Sequence, residues 1–408
     1  MLYDVVVVGG GASGMTAAVV AARSGKRVLL LERMNQLGKK LLATGNGKCN
    51  LTNLYQNLDC YRSDNAKFPL IILKQICVSE TLNFFKQLGV YTKDKNGYVY
   101  PNSEQASTIV EAFQNAIQHL KITVVKDCCL EQMIVRNHHF TLHTTQGAFR
   151  AQQVILAMGG AASAKLGSDG SGFEIAKRLG HSIVKPLPAL TALKSNLTYF
   201  RQLAGVRAQA KIKLYSEEQL LTEEAGEVQF TNYGISGVVV FQISRFASKR
   251  LDRNEKVVAQ IDLFPQWSNQ DLYAKLNQIV RDCPYLTVEQ CLQGLLNQKL
   301  VPVLLHTAHI GRNQSIVQLQ QKDWKHLIHK CKNFVVPIIG TNGLEQSQVT
   351  CGGVDTREIN PYTMESKRQR GVYLTGELLD VDGTCGGYNL QWAWSTGMLA
   401  GRLKGEFR

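Results

Sequence analysis

Among ten cysteines the sequence contains no CxxC pair and no zinc-type spacing; the thiols are Cys49, Cys60, Cys77, Cys128, Cys129, Cys283, Cys291, Cys331, Cys351 and Cys385. A dithiol redox motif and a structural zinc site are therefore not expected. In a cytosolic chain of this length the thiols are expected to be reduced and packed as small apolar side chains. No apolar run is long enough to span a bilayer. Met1 leads straight into a strand-like run, Leu2–Val8, without a basic n-region, a signal-type apolar segment or a lipidation motif. A cytoplasmic location with no membrane partner is the expectation. There is no internal repeat, no low-complexity tract, no nucleophile–His–acid triad and no pair of acids placed as catalytic carboxylates. His306/His309 and His326/His329, with Cys331, have spacings a metal can use, but they lack supporting acids, and no metal is expected.

What is present is ordinary for a globular chain: 408 residues, 44% hydrophobic and 19% charged. That length divides into two or three domains. The net charge is +14, but the basic residues are scattered, with clusters only at Lys39–Lys40 and Lys367–Arg370. A basic surface that attracts anionic cofactors accounts for this, and a nucleic-acid partner is not the first expectation.

Residues 3–32 read as strand, glycine turn, helix and strand. Tyr3–Val8 is continuously apolar, as in a parallel strand buried on both faces. Gly9-x-Gly11-x-x-Gly14 follows it and opens the small, apolar helix Ala12–Ser24. The first glycine allows the tight turn, the second lets backbone approach a pyrophosphate, and the third lets the helix sit close to the strand. The pyrophosphate then rests on the helix N-terminus. Glu32 ends the second strand, Arg27–Leu31, where a carboxylate can accept from ribose hydroxyls. There is no second GxGxxG, which argues against a separate, stably bound NAD(P) domain and leaves NADH or NADPH as a transient donor.

Further along, residues 33–60 are rich in Gly and Asn and read as a functional loop, and 70–89 as one helix. Lys121–Val125, Cys129–Arg136, Phe140–Thr145 and Val154–Ala157 read as strands, and Gly170–Leu179 as a helix. From Pro186 and Pro188 to about Phe264 the texture is β-like, over Ala210–Tyr215, Gly237–Ile243 and Lys256–Leu263. From Ser268 to about Lys332 it is helical, with a capping box at Thr287–Gln290. The layout is a nucleotide-binding domain interrupted by an insert of roughly 140–150 residues.

Leu156-Ala157-Met158-Gly159-Gly160 resembles the ATGG segment of two-dinucleotide flavoproteins. Tyr373–Asp380 resembles their late strand, and Gly386-Gly387-Tyr388-Asn389 opens a helix through Gly397. A helix N-terminus aimed at the pyrimidine edge of a flavin would stabilise negative charge on it. Four longer blocks, Gly38–Asn50, Gly226–Gly237, Val349–Val354 and Gly386–Ala393, resemble the BaiN/YhiN-like bacterial flavoproteins, also described as the aminoacetone-oxidase family. The resemblance covers nearly the whole chain. Met158 departs from it, since the family more often has Thr there.

That resemblance implies an α/β fold: a discontinuous Rossmann-like two-dinucleotide FAD-binding domain at 1–188 and 336–408, a β-barrel-like domain at 189–265 and a small helical domain at 266–335. It implies FAD held by Gly9, Gly11, Ala12, Ser13, Gly14, Glu32, Arg33, Lys39, Lys40, Thr44, Gly45, Asn46, Gly47, Cys49, Asn50, Leu130, Ala157, Met158, Gly159, Gly376, Glu377, Asp380, Gly387, Tyr388, Asn389 and Leu390. Cys49 and Tyr388 are the catalytic candidates. For Cys49, Cys351 and Cys385 the plainer expectation is packing against the flavin ring rather than thiol chemistry. Tyr233, Trp392 and Trp394 are either pocket or core residues. The function implied is flavin-dependent oxidoreduction of a small organic substrate bound between the FAD domain and the insert. NAD(P)H-linked reduction of a conjugated C=C bond comes first. Oxidation of an aminoacetone-like amine by O2, an FAD-containing RNA-binding or tRNA-modifying protein, and a flavoprotein without turnover are the alternatives.

Overall fold

A computed structural model describes residues 1–136 and 139–403. The chain forms two compact units, Met1–Leu187 with Leu344–Arg408, and Pro188–Gly343.

The first unit is built on β1 (Leu2–Val8), α1 (Ala12–Arg23), β2 (Val28–Leu31), β3 (Thr123–Val125), β4 (Leu130–Arg136), β5 (His139–Thr144), β6 (Gly147–Leu156), α2 (Ser171–Arg178), β7 (Val372–Leu374) and α3 (Tyr388–Gly401). The sheet runs β3-β2-β1-β6-β5-β4, and β7 also pairs with β6. β1 pairs in parallel with β2 on one side and with β6 on the other. Val5–Val8 are therefore enclosed, none more than 4% exposed, which is why this stretch is apolar without alternation. β6 divides its partners: its first half pairs antiparallel with β5, and its last residues, Val154–Leu156, pair in parallel with Val372–Leu374. β7, more than two hundred residues later in the chain, is thereby delivered beside the end of β6.

The expected single helix over 70–89 is two, Phe68–Gln75 and Val78–Gln87. Ile76 leaves helical geometry, and Cys77 with Glu80 forms a new capping box. Phe84 and Phe85 of the second helix enter the core, where Phe85 meets Trp394 edge-on at 5.0 Å and Phe113 stacks on Trp394 at 5.9 Å. Trp394 and Trp392 are thus core residues and not pocket walls: their indole N–H groups donate to Leu51 O (2.9 Å) and Gly376 O (3.0 Å).

In the second unit, Phe334–Ile338, Val257–Asp262, Arg207–Ser216, Gln219–Thr231, Gly234–Ser236, Leu193–Lys194 and Gly340–Thr341 form one antiparallel sheet in that order. The first and last of these are separated in sequence only by Ile339. The sheet therefore curls until its two ends meet, a barrel-like closure. Gly237–Ile243, read from the sequence as β-like, is instead the start of the helix Val238–Leu251. The run Val238-Val239-Val240 favours strands, but Val239, Val240, Ile243 and Ala247 recur at helical spacing and are all buried. Tertiary packing overrides the local preference here. The helices from Asn269 to Lys332 and the sheet share one hydrophobic cluster, in which Leu276, Leu304 and Leu327 join Ile212, Phe230 and Val336. The capping box at Thr287 and Gln290 is present.

A chain of buried hydrogen bonds fixes the segment that precedes β7. His181 Nδ1 lies 3.0 Å from Glu358 Oε2 and its Nε2 lies 2.8 Å from Ser366 Oγ, while Arg368 donates to Glu358 Oε1 at 2.7 Å. Burial pulls the Glu358 carboxyl up, but Arg368, Ser182 and His181 outweigh it and hold the group at about 2, against an ordinary 4.5. A depressed carboxylate stabilises the fold above its unfolded value and loses that contribution as the pH falls towards its folded value. The stability difference between the protein and a Glu358→Gln variant should be full at neutral pH and shrink between 4.5 and about 2, as denaturant titrations would show. Trp394→Phe keeps the ring contacts but leaves Leu51 O unpaired, and should cost about 1–3 kcal/mol in the same assay. A variant as stable as the parent would mean that this hydrogen bond adds nothing.

Candidate cofactor site

The site begins where β1 ends. Gly9 (φ +106) lies so close to Ala157 that an added Cβ would sit 2.3 Å from Ala157 O. At Gly14 a Cβ would sit 1.8 Å from Gly9 O. Gly11 is different: apart from its own chain neighbours, no described atom lies within 4 Å of its Cβ position. Two of the three motif glycines are thus required by the protein's own packing, and the third leaves space. Gly11 is the N-cap of α1, where no side chain caps the helix among the described residues and no acid stands in the first turn. The N–H groups of the Ala12–Ser13 turn are therefore available to an anion. Glu32 accepts from Gly10 N at 2.6 Å and Met34 N at 2.7 Å, which sets its carboxylate across the mouth of the turn. Burial raises its pKa, with the two backbone donors acting against that. Arg33 pairs with Asp169. Leu130 is a core residue at the start of β4, just past Cys128, whose N–H bonds Glu32 O at 2.9 Å.

Ala157, Met158 and Gly159 leave β6 beside this turn. Gly376 comes to it from the other end of the chain; a Cβ there would meet Ser13 Oγ at 2.7 Å, and its N–H donates to Thr396 at 2.9 Å. Glu377 is engaged on both oxygens: Lys40 Nζ lies 2.8 Å from one, and Thr350 N and Oγ1 lie 2.8 and 2.9 Å from the other. Thr350 Oγ1 in turn accepts from Ala161 N and Ala162 N. Glu377 and Lys40 thus tie three segments together. Asp380, 1% exposed, accepts from Asp64 N at 2.9 Å.

The second end of the site is the N-terminus of α3. Gly387 (φ +94) caps it without a side chain, pressed against Thr52 backbone. Asn50 Oδ1 lies 2.9 Å from the Cβ position of Gly387, is buried and has no hydrogen-bond partner among the described residues. A buried orphan acceptor costs about 1–3 kcal/mol unless a ligand supplies its donor. Asn389 is used to hold Gly383, donating to its oxygen at 2.9 Å and accepting from its N–H at 2.8 Å. Leu390 packs partly buried behind it. Gln391, fully buried, links Thr52, Thr81 and Ser395. Gly45, Asn46 and Gly47 form an exposed left-handed turn, followed by the buried Cys49 at φ +55. Lys39 and Lys40 open a short helix, Lys39–Leu42, inside the expected loop, and Thr44 Oγ1 donates to Leu41 O.

Both catalytic candidates keep their protons at neutral pH. Burial pushes the Cys49 thiol up to about 12, with the Thr44 hydroxyl acting weakly the other way. Burial likewise raises the Tyr388 phenol, whose hydroxyl contacts Cys60. Tyr388 also meets Tyr61 edge-on at 5.7 Å. A nucleophilic thiolate at Cys49 is not what this environment makes. Tyr233 lies in the second unit, its hydroxyl bonded to Asn342 Nδ2 at 2.9 Å. Among the described residues no three His, Cys, Asp or Glu side chains are grouped to hold a metal, and no single helix is long and apolar enough to cross a membrane.

The donor set fits FAD: an open helix N-terminus with a carboxylate beside it at one end, and an uncapped helix N-terminus with an orphan amide oxygen at the other. Thr350 and Gln391, inside the Val349–Val354 and Gly386–Ala393 blocks but not singled out there, also build this region, as do Ser168 and Asp169, which no motif covers. Gly376 was legible through the resemblance of Tyr373–Asp380 to a flavoprotein late strand, and Gly387 through the Gly386–Ala393 block.

The family model described as the HI0933-like protein Rossmann domain matches residues 3–403. The chain is 43% identical over 402 residues to the 3-dehydro-bile acid delta(4,6)-reductase of Clostridium scindens, covering 98% of both chains. It is 30% identical over 403 residues to the ribosomal RNA dihydrouridine synthase of Escherichia coli, covering 97% of this chain and 96% of that one. Among solved structures, the open conformation of a flavocytochrome c3 fumarate reductase matches with a TM-score of 0.51 at 16% identity, over 98% of this chain and 77% of that one, a likeness of fold alone.

Gly11→Ala and Gly14→Ala separate the two demands on the glycine turn. Gly14→Ala should lower stability by about 1–3 kcal/mol or more through overpacking. Gly11→Ala should cost at most about 1 kcal/mol of stability yet weaken flavin retention. Thermal melts and the flavin-to-protein absorbance ratio read the two effects. Loss of fold in both would contradict the assignment of Gly11 to the ligand. Cys49 should resist iodoacetamide at mildly alkaline pH, with peptide mapping as the check.

Proposed function

The chain belongs to the HI0933-like family as an FAD-dependent oxidoreductase, and we propose that it reduces a carbon–carbon double bond conjugated to a carbonyl, with NADH or NADPH as a transient hydride donor. The end-to-end 43% identity to a 3-dehydro-bile acid delta(4,6)-reductase carries this reading, and a 3-oxo steroid of the bile-acid class is the first substrate to test. When bound, FAD supplies the two-electron relay, accepting hydride from nicotinamide and passing it to the acceptor. The chain's own residues bind and orient it. The open N-terminus of α1 takes the anionic middle of the cofactor, and Glu32 takes a ribose. Asn50 and the uncapped start of α3 supply an acceptor and a positive dipole end that suit the polar edge of a reducible ring. Cys49 and Tyr388 hold their protons there, so neither competes as a nucleophile.

A second reading has its own support. The 30% relative is a ribosomal RNA dihydrouridine synthase, whose product is also a ring with a double bond saturated, and this chain carries a net charge of +14. The shared chemistry is double-bond reduction; the readings differ in whether the acceptor is a steroid or a uracil in RNA.

Anaerobic stopped-flow reduction tests the proposal. NADH or NADPH should bleach the flavin, and a 3-oxo-4,6-diene bile acid should reoxidise it faster than O2 does. Bleaching by aminoacetone but not by either nicotinamide would overturn the reductase reading in favour of an amine oxidase. Reoxidation by uridine-containing rRNA and not by the steroid would move the substrate to RNA.

A further inference from the structure

We infer that Asp169 is a positioning residue for the cofactor: by pairing with Arg33 it straps the adenosine end of the dinucleotide site and slows the release of FAD. The inference rests on the assignment of FAD to the β1–α1 turn and adds a residue that no motif points to.

β2 and β6 lie on opposite sides of β1. The chain leaving β2 and the chain leaving β6 therefore start on opposite flanks of the glycine turn. They meet again beyond it. Arg33, two residues past β2, forms its ion pair with Asp169, thirteen residues past β6. Beside the pair, the Cβ position of Gly167 lies 3.0 Å from Met34 Cγ. The contact closes a ring of protein across the end of β1, where the open helix N-terminus and Glu32 stand.

Both anchors are set before they pair. On one side Asp169 Oδ1 accepts from Ser171 N at 3.1 Å, and the loop is closed on itself by Ser168 Oγ and Gly170 N, which both donate to Gly160 O at 3.0 and 2.9 Å. On the other, Met34 N donates to Glu32 Oε1 and Met34 O accepts from Asp127 N at 3.2 Å. A pair between two fixed backbones loses less side-chain entropy than one between free chains. The Arg33 and Asp169 side chains are 34% and 32% exposed, so the pair is reachable by salt yet not fully solvated.

The test is the rate at which loaded protein releases FAD on dilution, followed by the recovery of flavin fluorescence. Asp169→Asn should release FAD about three- to fivefold faster than the parent, the range expected of one partly exposed ion pair. Asp169→Glu should restore most of the retention. Added salt should speed release from the parent and have less effect on Asp169→Asn. In an Arg33→Ala background Asp169→Asn should add nothing, because the strap is already open. Unchanged release from Asp169→Asn, the same salt dependence in both proteins, or additive effects in the double variant would overturn the strap. Circular dichroism on each variant separates these results from misfolding, and Asp169→Glu keeps the test alive if Asp169→Asn does not fold. A parent protein that cannot be loaded with FAD would overturn the cofactor assignment itself, whereas normal loading with unchanged release overturns the strap alone.

Discussion

The structure depends on backbone N–H groups that the protein does not satisfy by itself. At the start of α1 and again at the start of α3, a helix begins at a glycine with no side-chain cap among the described residues. Such ends are costly inside a core and useful only beside a partner that accepts hydrogen bonds and carries negative charge. Everything nearby keeps them open. Gly14 brings α1 against the strand without filling the space in front of it, and Gly387 seats α3 on the backbone of Thr52.

The two ends are assembled from parts far apart in sequence. β6 is the hinge of that assembly, because it pairs with β1 along one edge and with β7 along the other. It sets Gly376 against Ser13, and Glu377 then gathers Lys40 and Thr350. Gln391, Trp392 and Trp394 lock the following helix to residues 51, 52 and 376 through buried hydrogen bonds. The rigidity of the site comes from these side chains.

The first βαβ unit was legible because its signals are local: an apolar strand, a glycine turn, a small-residue helix and an acid at the next strand end. The capping box at Thr287 is local too and was read correctly. Val238–Val240 misled because three β-branched residues in a row speak for a strand, while the evidence for a helix is the spacing of Val239, Val240, Ile243 and Ala247, all buried. The break at Ile76–Cys77 was hidden because a cysteine is an unusual cap. Ser168 and Asp169 had no signal at all: Asp169 matters through a partner more than a hundred residues away, and Ser168 through a loop closure that composition does not record. The β and helical textures of the insert were visible, but their common core was not, since that depends on which apolar faces meet.

On the proposed reading the cofactor lies with its adenosine half at Gly9–Glu32 and its ring half at Asn50 and α3. Calorimetric titration of the apoprotein with FAD and with FMN, which lacks the adenosine half, tests it directly. Binding of FAD at least a hundredfold tighter than FMN is expected, from the added phosphate, ribose and adenine contacts. Equal affinity for the two would contradict the assignment of the β1–α1 turn and, with it, the account of how this fold is used.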